Sequence, residues 1–185
     1  MPLVRFIQKY AKEYDEAFPT SIELGPPDTL PNEPLSIPGV ANVSAPTYYA
    51  GFFIDAVFLH YHLKDIGWSP NPISLDFDIG REWRTRGKPE PFVIPKAMPR
   101  PSGDYLIWFI HRASPPQFVQ KFLTHRDEVL ARFCDMMRFT SEEAAFIRGN
   151  VKWQRFTHED RELPPDVILC KESFGGDSTS EEDSE

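Results

Sequence analysis

The chain has 185 residues, enough for one hydrophobic core with a tail and short for two domains, and its formal charge of −8 argues against bare nucleic acid as the main partner. Aromatic residues make up 14% and prolines number 19, which favours a core of Phe, Tyr and Trp joined by rigid irregular connections over long aliphatic helices. Two cysteines in unrelated settings, and a start MPLVRFIQKY without an apolar h-region, point to a reducing intracellular compartment, cytoplasm or nucleus.

In chain order, Leu3, Ile7, Tyr10, Tyr14 and Ala17 recur at steps of three and four with Lys9, Lys12, Glu13 and Glu16 between them, which predicts an amphipathic helix. Seven prolines between Pro19 and Pro46, with no sustained periodicity, predict an extended surface loop over 19–46 with little internal hydrogen bonding. From Thr47, the positions Tyr49, Phe52, Phe53, Ala56, Leu59, Leu63 and Ile66 follow helical spacing to a stop at Gly67, which predicts a core helix. That stretch is too short and too interrupted by Asp55, His60 and His62 to span a bilayer, so no membrane contact is expected.

Ile73, Leu75, Phe77 and Ile79 alternate with Ser74, Asp76 and Asp78, as in a half-buried strand. A short strand is expected at Phe92 to Ile94, and Asp104 to Arg112 (DYLIWFIHR) reads as a central strand, although its apolar run fits a buried helix equally. Ser114 as N-cap, Pro115 as first helical residue and Gln117 start a helix with the stripe Phe118, Phe122, Val129, Phe133 and Met137. Thr140 with Glu143 forms a second capping box for a helix carrying Phe146, Ile147 and Val151, so the two make a helical hairpin. Val167 to Cys170 is a short apolar anchor. The expected fold is a mostly helical α+β single domain over 1–174 with a small sheet, followed by a disordered acidic tail over 175–185.

That tail carries five carboxylates and no base over 177–185; setting them aside leaves 23 acidic against 20 basic residues, a nearly neutral body of −3. Phe174 followed by Asp177, Glu181, Glu182 and Asp183 reads as an acidic peptide with an aromatic anchor that binds a protein partner. Ser178, Thr179, Ser180 and Ser184 sit among those carboxylates, where an acidophilic kinase adds further charge. The plainer reading is a solubilising tail.

The opposing charge lies in Arg81, Arg84, Arg86, Lys88, Lys96 and Arg100, with Trp83 among them, a pattern suited to gripping a phosphate backbone and stacking one base. A solvated loop balancing the tail explains the same residues. Asp76 and Asp78 share one face of the expected strand and, with His111, form the weakest reading, an acid–base or divalent-ion site. His60 and His62 lie about 200° apart on a helix and cannot chelate one ion, and His111, His125 and His158 have no ligand at metal spacing. Cys134 falls on an apolar stripe and reads as a small buried hydrophobe. No serine elbow or glycine-rich phosphate loop is present, so no catalytic residue, cofactor or metal is expected.

Phe18-Pro19 with Leu24-Gly25-Pro26, then Ile66-Gly67-Trp68-Ser69-Pro70-Asn71-Pro72 followed by Phe77, resembles a stretch of phlebovirus-type NSs proteins, which carry similar FP, GP and WPxGxP segments. The chain departs from them at Asn71, where the family has glycine, and its tail lacks the valine-ended acidic motif of some members. The resemblance implies a largely helical, non-enzymatic viral accessory protein that counters host innate signalling or transcription by binding host factors. The leading expectation is thus an intracellular protein-interaction protein of unknown oligomeric state, and the alternative an RNA-binding protein or silencing suppressor that uses Arg81, Trp83, Arg84, Arg86 and Lys88.

Overall fold

The computed structural model of the chain describes residues 10–36, 42–68, 74–86, 93–100, 103–155 and 168–170. They form an α+β domain around a sheet whose strands run in the order β1 (Ser21–Ile22), β5 (Lys152–Arg155), β2 (Tyr48–Asp55), β4 (Asp104–His111) and β3 (Lys96–Pro99). All neighbours on this path are antiparallel, and β6 (Ile168–Leu169) pairs with β2 in parallel beside Phe53 and Ile54. Helices α1 (Ala11–Ala17), α2 (Ala56–Asp65), α3 (Leu75–Thr85), α4 (Pro116–Thr124), α5 (Arg126–Met137) and α6 (Ser141–Asn150) complete the described elements.

The first correction to the sequence reading lies at the centre. Thr47 to Gly67 is not one helix, because Tyr48–Asp55 is the strand β2 and only Ala56–Asp65 is helical. Tyr48, Ala50, Phe52 and Ile54 join the main core, which holds Leu59, Leu63, Ile79, Trp83, Phe122 and Phe133, while Phe53 packs with Leu106, Tyr49, Met98 and Trp108 in a smaller cluster. A strand buried on both faces loses its period of two, and its run of aromatics then imitates a helix stripe. Asp55 ends it: the Asp55 carboxylate accepts the Phe58 N–H at 2.8 Å, capping α2 with no intervening loop. At the far end, the Gly67 N–H donates to the Lys64 carbonyl and the Trp68 N–H to the Leu63 carbonyl, with Gly67 at φ 80°, so the expected glycine stop holds.

The second correction concerns Ser74 to Ile79, which belongs to a helix start rather than a strand, Ile73 lying outside the described residues. Leu75 and Ile79 are four apart, so they satisfy both periods; Trp83, four further on and buried with them, decides for the helix. Phe77 points outward. The strand expected at Phe92 to Ile94 falls instead at Lys96–Pro99, Val93 and Ile94 being irregular and Phe92 undescribed. The edge of β3 is closed from outside, since the Ala97 N–H donates to Asp76 Oδ1 at 3.0 Å and Pro99 has no N–H.

Asp104–His111 is the expected central strand, and α5 and α6 make the expected hairpin, with both hydrogen bonds of the Thr140–Glu143 capping box present. The helix predicted from Ser114 starts one residue late: Pro115 is the N-cap, Pro116 the first helical residue, and Ser114 Oγ instead accepts the His111 N–H at 3.0 Å. Its stripe is split at His125 into α4 and α5. Strand β5 was not expected, and the apolar anchor before the tail is β6, with Leu169 buried.

The described parts of the 19–46 segment, 19–36 and 42–46, are largely irregular, as expected, but they are tied down by donors from the body. Tyr48 Oη donates to the Pro19 carbonyl (2.9 Å), Trp153 Nε1 to the Gly25 carbonyl (2.9 Å) and Arg112 Nη1 to the Pro31 carbonyl (2.6 Å). Leu30 is buried in the main core, and Leu35 bridges Val43 through both backbone hydrogen bonds. The segment is a strap rather than a free loop.

β2 and β4 approach closely where the register shifts between Ala50 and Gly51. A Cβ on Gly51 would overlap the Ile107 carbonyl oxygen and lie 2.9 Å from the Trp108 Cα, so the obstruction is backbone that no rotamer relieves. Gly51→Ala is therefore expected to destabilise the fold by about 2–3 kcal/mol, the upper part of the range for overpacked cores, read as a lowered urea midpoint at unchanged m-value.

Candidate functional site

The residues that looked fit to grip nucleic acid are largely committed to the fold. Trp83 is 1% exposed, donates its Nε1–H to the Val93 carbonyl at 2.7 Å and carries the Arg132 guanidinium 4.0 Å above its ring, so it offers no face to a base. Arg81 pairs with Asp78 at 3.1 Å and Glu82 at 3.7 Å, Arg86 with Glu82 at 3.2 Å, and Lys96 with Asp76 at 3.0 Å. Arg100 and Asp104 form a buried pair at 3.2 Å, with the guanidinium over the Phe53 ring. Arg84 alone of the described members is exposed and meets no carboxylate among the described residues; Lys88 lies outside them. The segment does not form one basic surface.

Two of these arginines clamp helix ends. Arg132 Nη2 donates to the Trp83 carbonyl at 2.8 Å, and Arg86 Nη1 lies 3.5 Å from the Met136 carbonyl, so α3 and α5 each supply a cation to carbonyls near the other's C-terminus. Desolvation by burial lowers the Arg132 pKa from its ordinary value. Guanidinium is so strong a base that the side chain stays charged.

Asp76 and Asp78 do not share a face once Leu75–Thr85 is helical, which corrects the paired-carboxylate reading. Asp76 is held by Lys96 and the Ala97 amide, and Asp78 by Ser74 Oγ at 2.7 Å and Arg81. His111 packs on Tyr49 and Trp108 at the end of β4, four residues, or about 13 Å, along the strand from Ile107, the partner of Ala97. The three do not converge on one reacting atom.

The histidines serve separate elements. His62 Nε2 lies 2.7 Å from the Met137 carbonyl, which only accepts, so Nε2 carries a proton and donates; its ring stacks with Phe139 at 4.5 Å and with Phe58 at 5.8 Å. This ties α2 to the α5–α6 turn. His60 is exposed and touches Tyr61, His125 pairs with Glu128 at 3.3 Å in solvent, and His158 is outside the described residues. Among the described residues no group of three His, Cys, Asp or Glu is placed to hold a metal ion, and no helix is long and apolar enough to cross a membrane.

A shallow cleft of about 600 Å³ lies between the strap at Leu24, Gly25 and Pro26 and the α4–α5 junction at Leu123 to Glu128. Its only side-chain pair of acid–base character is His125 with Glu128, both open to water, an arrangement worth little. The tail residues Phe174, Asp177, Glu181, Glu182 and Asp183, with Ser178, Thr179, Ser180 and Ser184, lie outside the described residues.

What sequence reasoning missed is apolar surface. Val57 and Tyr61, one helical turn apart on α2, are 63% and 62% exposed, and Phe77 on α3 is 64% exposed. The mis-assigned strand had placed Phe77 inside, whereas the helix predicted from Thr47 already turned Val57 and Tyr61 away from its Leu59 and Leu63 stripe. The signal was available in Val57-x-x-x-Tyr61 flanked by His60 and Lys64, off the Leu59 and Leu63 stripe. Comparison of the chain with protein-family models, curated proteins and solved structures finds no match in any of the three.

Cys134 is buried on α5, and desolvation pushes its thiol up to about 11, with Arg148 lowering it and Asp135 and Glu143 raising it slightly. The folded value lies above that of an unfolded cysteine, near 8.5, so folded protein binds the extra proton. This contribution to stability is complete below about pH 8.5 and lost as pH rises toward 11, and Cys134→Ala removes that part of the slope. In thiol titration at pH 8, Cys134 is expected to react only after denaturant is added.

Proposed function

We propose that the chain is a non-enzymatic protein-interaction protein that docks a partner on the outer face of α2. The observation that carries this is the pair Val57 and Tyr61, both more than 60% exposed on one face, while Leu59 and Leu63 on the opposite side are fully buried. Single exposed apolar residues are ordinary on any surface. Two at i, i+4, one of them tyrosine, make a preformed ridge on a helix whose orientation is fixed by the Asp55 cap, by the inner leucines and by the His62–Met137 contact. His60 and Lys64 flank the ridge, so a fitting partner offers an apolar groove with a carboxylate at its rim.

The nucleic-acid alternative draws less support, because Trp83 is enclosed and Arg81, Arg86, Lys96 and Arg100 each face a carboxylate. The narrower viral-accessory version, in which the partner is a host factor of innate signalling or transcription, rests on the resemblance to phlebovirus-type NSs proteins. Several of the described signature residues serve the packing: Phe18 is buried, Leu24 and Trp68 lie against the core, and the Gly25 carbonyl anchors Trp153, whereas Phe77 is exposed.

The test places a photoreactive amino acid at position 61 in the full chain. Illumination in cells is expected to give a discrete cross-linked protein, and Val57→Ser is expected to reduce that product at least fivefold while the far-UV circular dichroism stays unchanged. An equal yield from a probe placed at exposed Gln120 on α4 contradicts a dedicated α2 surface.

A further inference from the structure

The outer face of α3 combines an aromatic ring with cations in one line. Phe77, Arg81 and Arg84 stand at i, i+4 and i+7; the Arg81 guanidinium lies 6.0 Å from the Phe77 ring centroid, and its side chain remains 54% exposed despite Asp78 and Glu82. Arg84 is exposed beside it with no carboxylate among the described residues. The helix beneath is firmly seated through Leu75, Ile79 and Trp83, so this face is presented rigidly.

We propose that this α3 face is the docking site of the chain's own acidic C-terminal segment, residues 171–185. Charge complementarity is the first argument: 177–185 holds five carboxylates and no base, while Arg84 meets no carboxylate among the described residues and Phe77 offers an apolar surface for Phe174. The α2 ridge lacks this match, since Lys64 is followed directly by Asp65 and no arginine accompanies it.

Reach is the second argument. The described chain last emerges at β6, beside β2, and the sheet continues from there through β4 to β3, against which Asp76 and Lys96 hold α3. Three strand spacings are about 14 Å and one layer step about 10 Å. Six residues, 171–176, extend up to about 20 Å, and all fifteen to about 50 Å, so the carboxylates arrive over α3 without displacing any described strand. Tethering at this length holds the tail at an effective concentration on the order of millimolar, which favours the contact within one chain over the same contact between copies. The bound tail covers Phe77 and withholds Arg81 and Arg84 from other anions. This contact stands independently of the α2 docking reading.

Amide NMR spectra of the full chain and of a chain stopped after Gly176 test it. At low salt the two are expected to differ at Phe77 to Thr85, and the full-chain shifts there are expected to move to those of the stopped chain at about 0.5 M salt and in Arg84→Glu. The differences are expected to survive tenfold dilution, as a contact within one chain requires. Identical α3 amides in the two chains, differences centred on α2, or loss on dilution, which marks a contact between two copies, each overturns the proposal.

Discussion

A strand that must be buried on both faces and crossed by backbone at one point governs the rest of this structure. β2 has β4 along one edge and β5 and then β6 along the other, with Gly51 at the place where the Ile107 carbonyl leaves no room for a side chain. Its residues pair with β4 from Tyr49 to Asp55, with β5 from Tyr48 to Gly51 and with β6 at Phe53 and Ile54, and its side chains divide between the main core and the Phe53–Leu106 cluster. Burying four large side chains at about 1.5–3 kcal/mol each contributes an amount comparable to the whole net stability of a domain this size. The strap and the hairpin pack on surfaces that this strand creates, while α3 is held against β3 and α5.

The same strand sets what the surface can present. α2 leaves β2 directly through the Asp55 cap, so the phase that buries Leu59 and Leu63 turns Val57 and Tyr61 outward. α3 is fixed from inside by Trp83 and from the side by Asp76, leaving Phe77, Arg81 and Arg84 on its outer line. Carboxylates on α3 neutralise most of the adjacent described cations locally, which turns an apparent basic patch into a mixed surface on which Arg84 meets no carboxylate among the described residues. The described surface therefore presents small apolar ridges with few charges.

Parts of this were legible in the sequence and parts were hidden for definite reasons. The Thr140–Glu143 capping box and the Gly67 stop were readable because each depends on local chemistry, whereas the apolar run of Asp104–His111 fitted a strand and a buried helix equally. Tyr48–Asp55 was misread because double-sided burial erases the alternation that marks a strand, and Leu75 to Ile79 because apolar residues four apart satisfy periods of two and of 3.6 alike. β5 was hidden because KWQR is a strand only in the presence of its partners β1 and β2. Trp83 among arginines looked like a stacking platform; nothing local indicated that Arg132, far along the chain, would close over it.

The central claim is that β2, rather than a helix across the same residues, is the element on which the fold closes. Amide hydrogen exchange measured residue by residue across Ala50 to Ile54 addresses it most directly. These amides are expected to exchange only through global unfolding, with an opening free energy equal to that from denaturant melts and above that of α1. Exchange at Phe52 to Ile54 through local opening, at a free energy well below the global value, would contradict the account.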